Sequence, residues 1–400
     1  MKTHSRRRGA TSGKLRVAHV ITRMIVGGAQ ENTLLCCRDL IETYGDEVLL
    51  LTGPEAGPEG ELLREHAEAG VPVRVLRSLR RSIIPWSDWR AYRQIRRALA
   101  EFHPDVVHTH SAKAGFLGRL AAARLHIPAI VHTIHGAPFH PYQSAAARRL
   151  FQACERLAAR RCHRLISVAD AMTDLMVEAG VAERRKFVTI YSGMDTEPFL
   201  KADSRRDATR EQFGFAPDHL VIGKIARLFH LKGHADLIAA AEKVVRERPE
   251  VRFLLVGDGV LRDELERDVR RRGLEQHVRF AGLVSPREVP AMISAMDVLV
   301  HVSLREGLAR ALPQALLAGK PVVSYDIDGA REVVTHEITG LLVEPRNIGQ
   351  LVRALLRCAA DGDFRAACGG VGRESCRERF RHDVMTRHIR ALYEELLAGV

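Results

Sequence analysis

Four short stretches combine cations, glycines and a carboxylate in ways that suit a phosphorylated ligand. From Ser303 to Val323 the chain reads as a strand end, a loop carrying Glu306, a short helix and a second strand. Pro313 is tolerated near the helix start, and Gly319 suits its end. The first amides of a helix lack intrahelical partners, so the N–H groups of Ala309, Arg310 and Ala311 form a ready anion site for a diphosphate. Gln314 stands in the first turn, and Gln314 and Glu306 are expected to point into one cleft. Between Gly223 and Gly233 a buried strand ends in Arg227, and Lys232 follows just before a helix. A planar guanidinium and a compact ammonium suit charge that grows on a leaving phosphate. A cation at a helix start opposes the dipole, which favours a functional reason for Lys232. After the first strand, Gly27 and Gly28 would let backbone approach a ligand closely. His135 follows a buried strand, where a histidine is otherwise a satisfied core or cap residue.

These stretches all lie just after strands. The first half alternates strand candidates (15–22, 47–52, 73–77, 105–109, 129–133, 164–167, 186–191) with helical segments, the signature of a parallel sheet covered on both faces. The pattern restarts at Leu220, with further strands at 252–256, 298–302, 321–325 and 341–343. The expected fold class is α/β, two Rossmann-like doubly wound domains facing a central cleft, with ligands beyond the carboxyl ends of the strands. The expected boundaries are a disordered basic tail over 1–14, a first domain over 15–195, a linker over 196–218 and a second domain over 219–382. A final helix over 383–400 would pack back on the first domain.

Together these segments resemble the retaining GT-B glycosyltransferases of family four, across almost the whole chain from Leu15 and most specifically from Leu220 to Pro345. The stretch from Glu306 to Gln314 is similar to the family's E-x7-E element, with Gln replacing the second Glu. An amide can still hydrogen-bond a ribose diol but carries no charge. Arg227 and Lys232 resemble the R-x4-K pair, Gly27-Gly28-Ala29 the N-terminal G-G-A loop, and Thr133-Ile134-His135-Gly136 the T-x-H-[DG] site. Weaker likenesses are Val256-Gly257-Asp258-Gly259, the Val278–Val284 loop, Ser192-Gly193-Met194-Asp195, and the turn from Gly329 to Val333. The resemblance implies transfer of a sugar from a nucleoside diphosphate to an acceptor hydroxyl with retention. Arg227, Lys232 and the amides of Ala309, Arg310 and Ala311 would hold the diphosphate, with Gly27 and Gly28 facing it. Gln314 would bind the ribose, Val284 would offer backbone to the base, and Glu306 and His135 would orient the sugar. The leaving phosphate itself would take the acceptor's proton, so no nucleophile–base pair is required.

Bulk properties narrow the rivals. The 400 residues favour two domains, and 46% apolar with 28% charged residues describes a globular chain. No apolar run approaches the roughly 20 residues of a membrane span. The basic start is not a secretory signal, and seven cysteines without a C-x-x-C pair fit reduced thiols in the cytoplasm. A net charge of +12 suits phosphorylated substrates or an anionic membrane face. Without a recognition helix or an aromatic-studded strand, nucleic acid is not an expected partner. The basic stretches 80–97, with Trp86 and Trp89, and 148–164, with Phe151 and Leu157, are candidate interfacial helices or plain solvated faces. His108-Thr109-His110 invites a zinc reading. Against it stand the alternation of strand side chains between faces and the lack of a supporting pattern, so no metal or other cofactor is expected. Asp326-Ile327-Asp328 is read as turn chemistry. The rival functions are a sugar-nucleotide epimerase or hydrolase of the same fold, and a binding protein without turnover.

Overall fold

The computed structural model describes residues 13–54, 62 and 70–399, so nearly all of the basic stretch 1–14 lies outside the described residues. Short β-branched runs form two fully parallel sheets. The first contains β1 (Arg16–Ile21), β2 (Glu47–Thr52), β3 (Val73–Val75), β4 (Val106–His110), β5 (Ala129–Ile134), β6 (Arg164–Ser167) and β7 (Phe187–Thr189), ordered β3-β2-β1-β4-β5-β6-β7. The second contains β8 (Leu220–Ile225), β9 (Val251–Val256), β10 (Val278–Gly282), β11 (Val298–His301), β12 (Val322–Tyr325) and β13 (Gly340–Val343), ordered β10-β9-β8-β11-β12-β13. Central strands such as β4 and β5 are buried along their whole length because helices cover both faces.

In each sheet the chain winds one way from its first strand and then returns to the other side. The reversals fall between β1 and β4 and between β8 and β11, where doubly wound sheets open their ligand crevice. Gly27 and Gly28 follow β1, Arg227 and Lys232 follow β8, and Glu306 follows β11.

Two sequence readings need correction. The stretch 278–284, which resembles a family loop, is not a loop throughout: Val278–Gly282 pairs with β9 as an edge strand, with an irregularity between Phe280 and Gly282. Its half-exposed residues and terminal glycine hide the alternating pattern. The supposed linker 196–218 is largely helical, with turns at Glu197–Leu200, Ala202–Arg205 and Arg206–Gln212. Arg206 and Arg210 both pair with Asp297, whose carboxylate also accepts from the Val221 amide, 2.7 Å away, at the start of β8. This segment is therefore anchored to the second sheet, and its charges, which looked like a solvated linker, are the anchor.

The last helix, His382–Ala398, lies across the first sheet, with Met385, Ile389, Leu392 and Tyr393 in one core with Val17, Ile21, Val106 and Val131. His382 and Thr386 donate to Asp39 at 2.7 and 2.8 Å, and Arg390 pairs with buried Asp46 at 2.8 Å. The two crossings between the sheets touch, because the Met194 amide donates to Phe380 O and the His382 amide to Met194 O. Gly193 permits this contact; a Cβ there would lie 2.5 Å from the His382 Cα. Among the described residues no helix is long and apolar enough to cross a membrane.

Candidate active site

The floor of the cleft is built at the ends of β8 and β11. Leu231 and Gly233 flank Lys232 in the left-handed region, with φ of 66° and 69°. A Cβ on Gly233 would sit 1.8 Å from the Val302 carbonyl, so only glycine lets this turn press against β11. The turn thereby delivers the Lys232 Nζ to within 2.6 Å of the Glu306 Oε1, and His301 Nε2 lies 3.3 Å from the same oxygen. The Glu306 amide donates to the Asp328 carboxylate at 2.6 Å, so main chain and side chain are both held. Burial opposes the charge on Glu306, but Lys232 and His301 outweigh it and hold the carboxyl far below the usual carboxylate range. Beneath this pair, Lys224 on β8 is wholly buried, and its Nζ has no hydrogen-bond partner among the described residues. Arg227 lies with its guanidinium 4.9 Å from the Phe229 ring centre, and its carbonyl accepts from His234 Nε2 at 3.0 Å.

The opposite wall comes from the first sheet and touches the floor at several points. Arg310 crosses to pair with Glu31 at 2.8 Å and donates to the Gly28 carbonyl at 3.3 Å. A Cβ on Gly28 would fall 2.7 Å from the Arg310 Cδ, so Gly28 admits this arm. Gly307 lies against His135 across the cleft, where a Cβ would meet the His135 carbonyl at 2.1 Å. Arg305 donates to the Ala137 carbonyl. Glu332 accepts from the Asp170 and Ala171 amides at 2.8 and 2.9 Å, capping a first-domain helix (Asp170–Glu178) from the second domain.

Gln314 and Glu306 open on different pockets of the cleft. Gln314 lines one with Glu31, Arg310, Asp195, Pro286 and Arg287, while Glu306 lines the other with Arg305, Asp328, His140, Arg148 and Arg149. Their spacing does not align them because the helix begins only at Ala311, leaving the preceding loop free to turn. Val284 packs against the core two residues before Pro286 and is not among the residues lining the Gln314 pocket. The helix carrying the Ala311 amide is only seven residues long, and in this conformation the Arg310 side chain is committed to Glu31.

Two family models cover most of the chain: the one described as glycosyl transferase 4-like domain matches residues 27–193, and the one described as glycosyl transferases group 1 matches 205–375. The chain is a GT-B glycosyltransferase. It is 27% identical over 354 residues, 88% of this chain and 90% of that protein, to the UDP-Gal:alpha-D-GlcNAc-diphosphoundecaprenol alpha-1,3-galactosyltransferase of Escherichia coli. It is 30% identical over 283 residues, 66% of this chain and 60% of that protein, to the D-inositol 3-phosphate glycosyltransferase of Streptomyces avermitilis. Among solved structures, HepE of Anabaena in complex with UDP shares the fold at a TM-score of 0.79 and 23% identity, over 95% of this chain and all of that one.

Several residues at this transferase's site escaped the sequence reading. Asp328, expected only in a turn, has φ of 45° and also anchors the Glu306 amide. Glu31, His301 and Lys224 carry no motif of their own, and only strand ends and the domain interface assemble them. His108 and His110 are not separated by strand alternation as expected. Alternation puts neighbours on opposite faces, so residues two apart share one. His19, His108 and His110 do converge, with candidate ligand atoms within 4.8 Å of one another. Hydrogen bonds nonetheless engage these rings: His108 with the Tyr393 hydroxyl at 2.5 Å and Thr133 at 2.7 Å, and His110 with His19 at 3.0 Å and His135 at 3.1 Å. Burial lowers all of them, His19 to about 3, and His135, with Arg310 adding to the effect, to about 4.

Proposed function

We propose that this transferase moves a sugar from a nucleoside diphosphate, with UDP the first candidate, to a hydroxyl of a carbohydrate or lipid-linked acceptor, with retention. The observation that carries the reading is the Lys232–Glu306 pair at the second sheet's reversal, close to Arg227 and facing His135 across a gap that only Gly307 can close. Arg227 and Lys232 bind the diphosphate, supported by the amides of Ala309, Arg310 and Ala311 and the close approach of Gly27 and Gly28. Gln314 bonds the ribose, with the base beyond it near Pro286 and Arg287. Glu306 and His135 orient the sugar. The acceptor oxygen bonds to the anomeric carbon as the bond to the phosphate oxygen breaks, and the acceptor's proton passes to that departing phosphate. Cations and amides stabilise the leaving charge, so no metal is assigned a role.

The naming of UDP in the Escherichia coli relative and in the HepE complex supports the donor base. Arg148, Arg149 and Arg305 around the Glu306 pocket suit an acceptor that carries phosphate. A lipid carrier would place the enzyme on the inner face of a membrane, and two first-domain helices have the surface for it. Pro85–Phe102 exposes stacked Trp86 and Trp89, 60% and 45% accessible, with Arg90 and Arg93 over their rings. Ala145–Ala159 exposes Leu150 and Leu157 beside Arg148 and Arg149.

A donor panel with product detection tests the reading, using Glu306→Gln and two Gln314 variants. Gln314→Leu leaves the ribose hydroxyls unpaired and should weaken donor binding by about 1–3 kcal/mol. Gln314→Glu should keep or improve it, since a carboxylate accepts from both hydroxyls. Glu306→Gln should lower the single-turnover rate by more than it lowers affinity. Normal donor binding in Gln314→Leu together with parental turnover in Glu306→Gln would overturn the site.

A further inference from the structure

Behind His135 runs a row of imidazoles that the transfer chemistry above does not use. His135 Nε2 lies 3.1 Å from His110 Nδ1, and His110 Nε2 lies 3.0 Å from His19 Nδ1. The rings lie near-parallel and edge to edge along the row, with interplanar angles of 27° and 10° and centres 5.4 and 5.3 Å apart. His19 and His110 are buried, whereas His135 is half-buried at the cleft. The inner end of the row, His19 Nε2, is buried and has no partner among the described residues. His108 stands beside the row at 4.3 Å from the His110 ring centre, its own nitrogens held by Tyr393 and Thr133.

A neutral imidazole has one N–H and one lone pair, so the ring tautomers along such a row are not independent. If His19 donates to His110, then His110 must donate to His135, and His135 is left with its proton on Nδ1. If His135 donates inwards, every proton reverses and His19 carries its own on Nε2, an N–H buried without an acceptor. Buried donors without partners are rarer in folded proteins than under-satisfied acceptors. The outward direction leaves only a lone pair at the inner end.

We propose that His110 and His19 are positioning residues that hold His135 as the Nδ1–H tautomer, so that it presents a hydrogen-bond donor to the sugar side of the cleft. This rests on the transferase reading for its purpose, but not for its physical content. A donor at that point suits hydroxyl or phosphate oxygens of a sugar nucleotide. The row resembles the arrangement by which a metal-ligating or catalytic histidine has its tautomer set through its second nitrogen, with imidazoles in place of a carboxylate.

The ring ¹⁵N spectrum of histidine-labelled protein tests this without any substrate, because protonated and bare ring nitrogens resonate far apart. His135 should show a single neutral tautomer with the proton on Nδ1, assigned by its loss in His135→Gln. In His110→Phe the row is cut while an aromatic ring is kept, and His135 should relax to a mixture of tautomers or to Nε2–H. In His110→Asn the amide can sit where Nδ1 sat and donate as it did, so the parental signature should return. Turnover should follow, falling about tenfold in His110→Phe, the loss of one ordinary hydrogen bond, and recovering in His110→Asn. A parental His135 spectrum with Nε2–H or mixed tautomers would overturn the proposal. So would an unchanged His135 tautomer in folded His110→Phe, or one equivalent of zinc in the purified protein, since coordination would consume the lone pairs the row requires. Failure of the glycosyltransferase reading would instead show as absent turnover with the spectral pattern intact.

Discussion

Replacing Lys224 by Met should stabilise the protein near neutral pH, and the gain should disappear as pH rises. Lys224 is 0% exposed, and its ammonium has no hydrogen-bond partner among the described residues. Burial first, then the neighbouring Lys232, lowers it to about 7, against the pull of Glu306 and Asp236. An unfolded lysine titrates near its ordinary value of about 10.4. Between those two values the unfolded chain binds more protons than the native one, so Lys224 makes stability rise with pH across this window. Below it both states are charged, and the full cost of burying the ammonium is felt. The linkage relation converts a native value near 7 into a gain of about 2 kcal/mol between about pH 7 and 9. Other groups titrate nearby: burial lowers His301, and it pushes the thiols of Cys358 and Cys376 up to about 12 and about 11. Comparing Lys224→Met with the parent at each pH cancels the thiol terms, whereas His301 feels Lys224 directly but is held below its ordinary value, and so below this pH window, by its own burial first of all. Urea unfolding of both proteins at about pH 7, 8 and 9 should therefore show a stability difference that favours Met at the lower pH and shrinks by about 2 kcal/mol towards the higher. A difference that does not change with pH would mean that Lys224 is not a buried, weakly compensated cation, and that this reading of β8 is wrong.

Gly307→Ala should lower kcat/KM by roughly tenfold or more, about 1.4 kcal/mol in the barrier, with little change in Tm, because its added Cβ would fall 2.1 Å from the His135 carbonyl and force the loop to move. Steady-state kinetics beside a melting curve checks this. Arg119→Met should cost about 3–5 kcal/mol, since it leaves Glu155 buried without its 2.8 Å partner; adding Glu155→Leu should restore much of the loss in denaturant unfolding. Vesicle sedimentation should show binding to anionic but not neutral lipid, weakening steeply with salt because charges are screened over about 8 Å at physiological ionic strength. Equal binding to both lipids, or to neither, would remove the membrane from the account.

The sequence by itself determined the two-sheet α/β architecture, because runs such as 253–256 and 298–300 are apolar through their whole length, and the strand candidates are regularly spaced by helical stretches. It also determined the loops after β1, β5, β8 and β11, since glycines, cations and a carboxylate just past strand ends stand out locally. Edge elements were less legible. Val278–Gly282 buries little and so carries little pattern, and the helices of 197–212 looked like a linker because their charges serve Asp297, 91 positions from Arg206 and 87 from Arg210. Only the tertiary structure decided what meets what. Lys232 and Glu306 are 74 positions apart, His110 and His19 are 91 apart, and Arg310 and Gly28 are 282 apart. No local periodicity records such separations. They are set by strand order, by crossover geometry and by a few glycines whose missing side chains let two backbones approach. The pocket assignment of Gln314 and Glu306 depended in the same way on how a non-helical loop turns before Ala311, which spacing along a chain cannot encode.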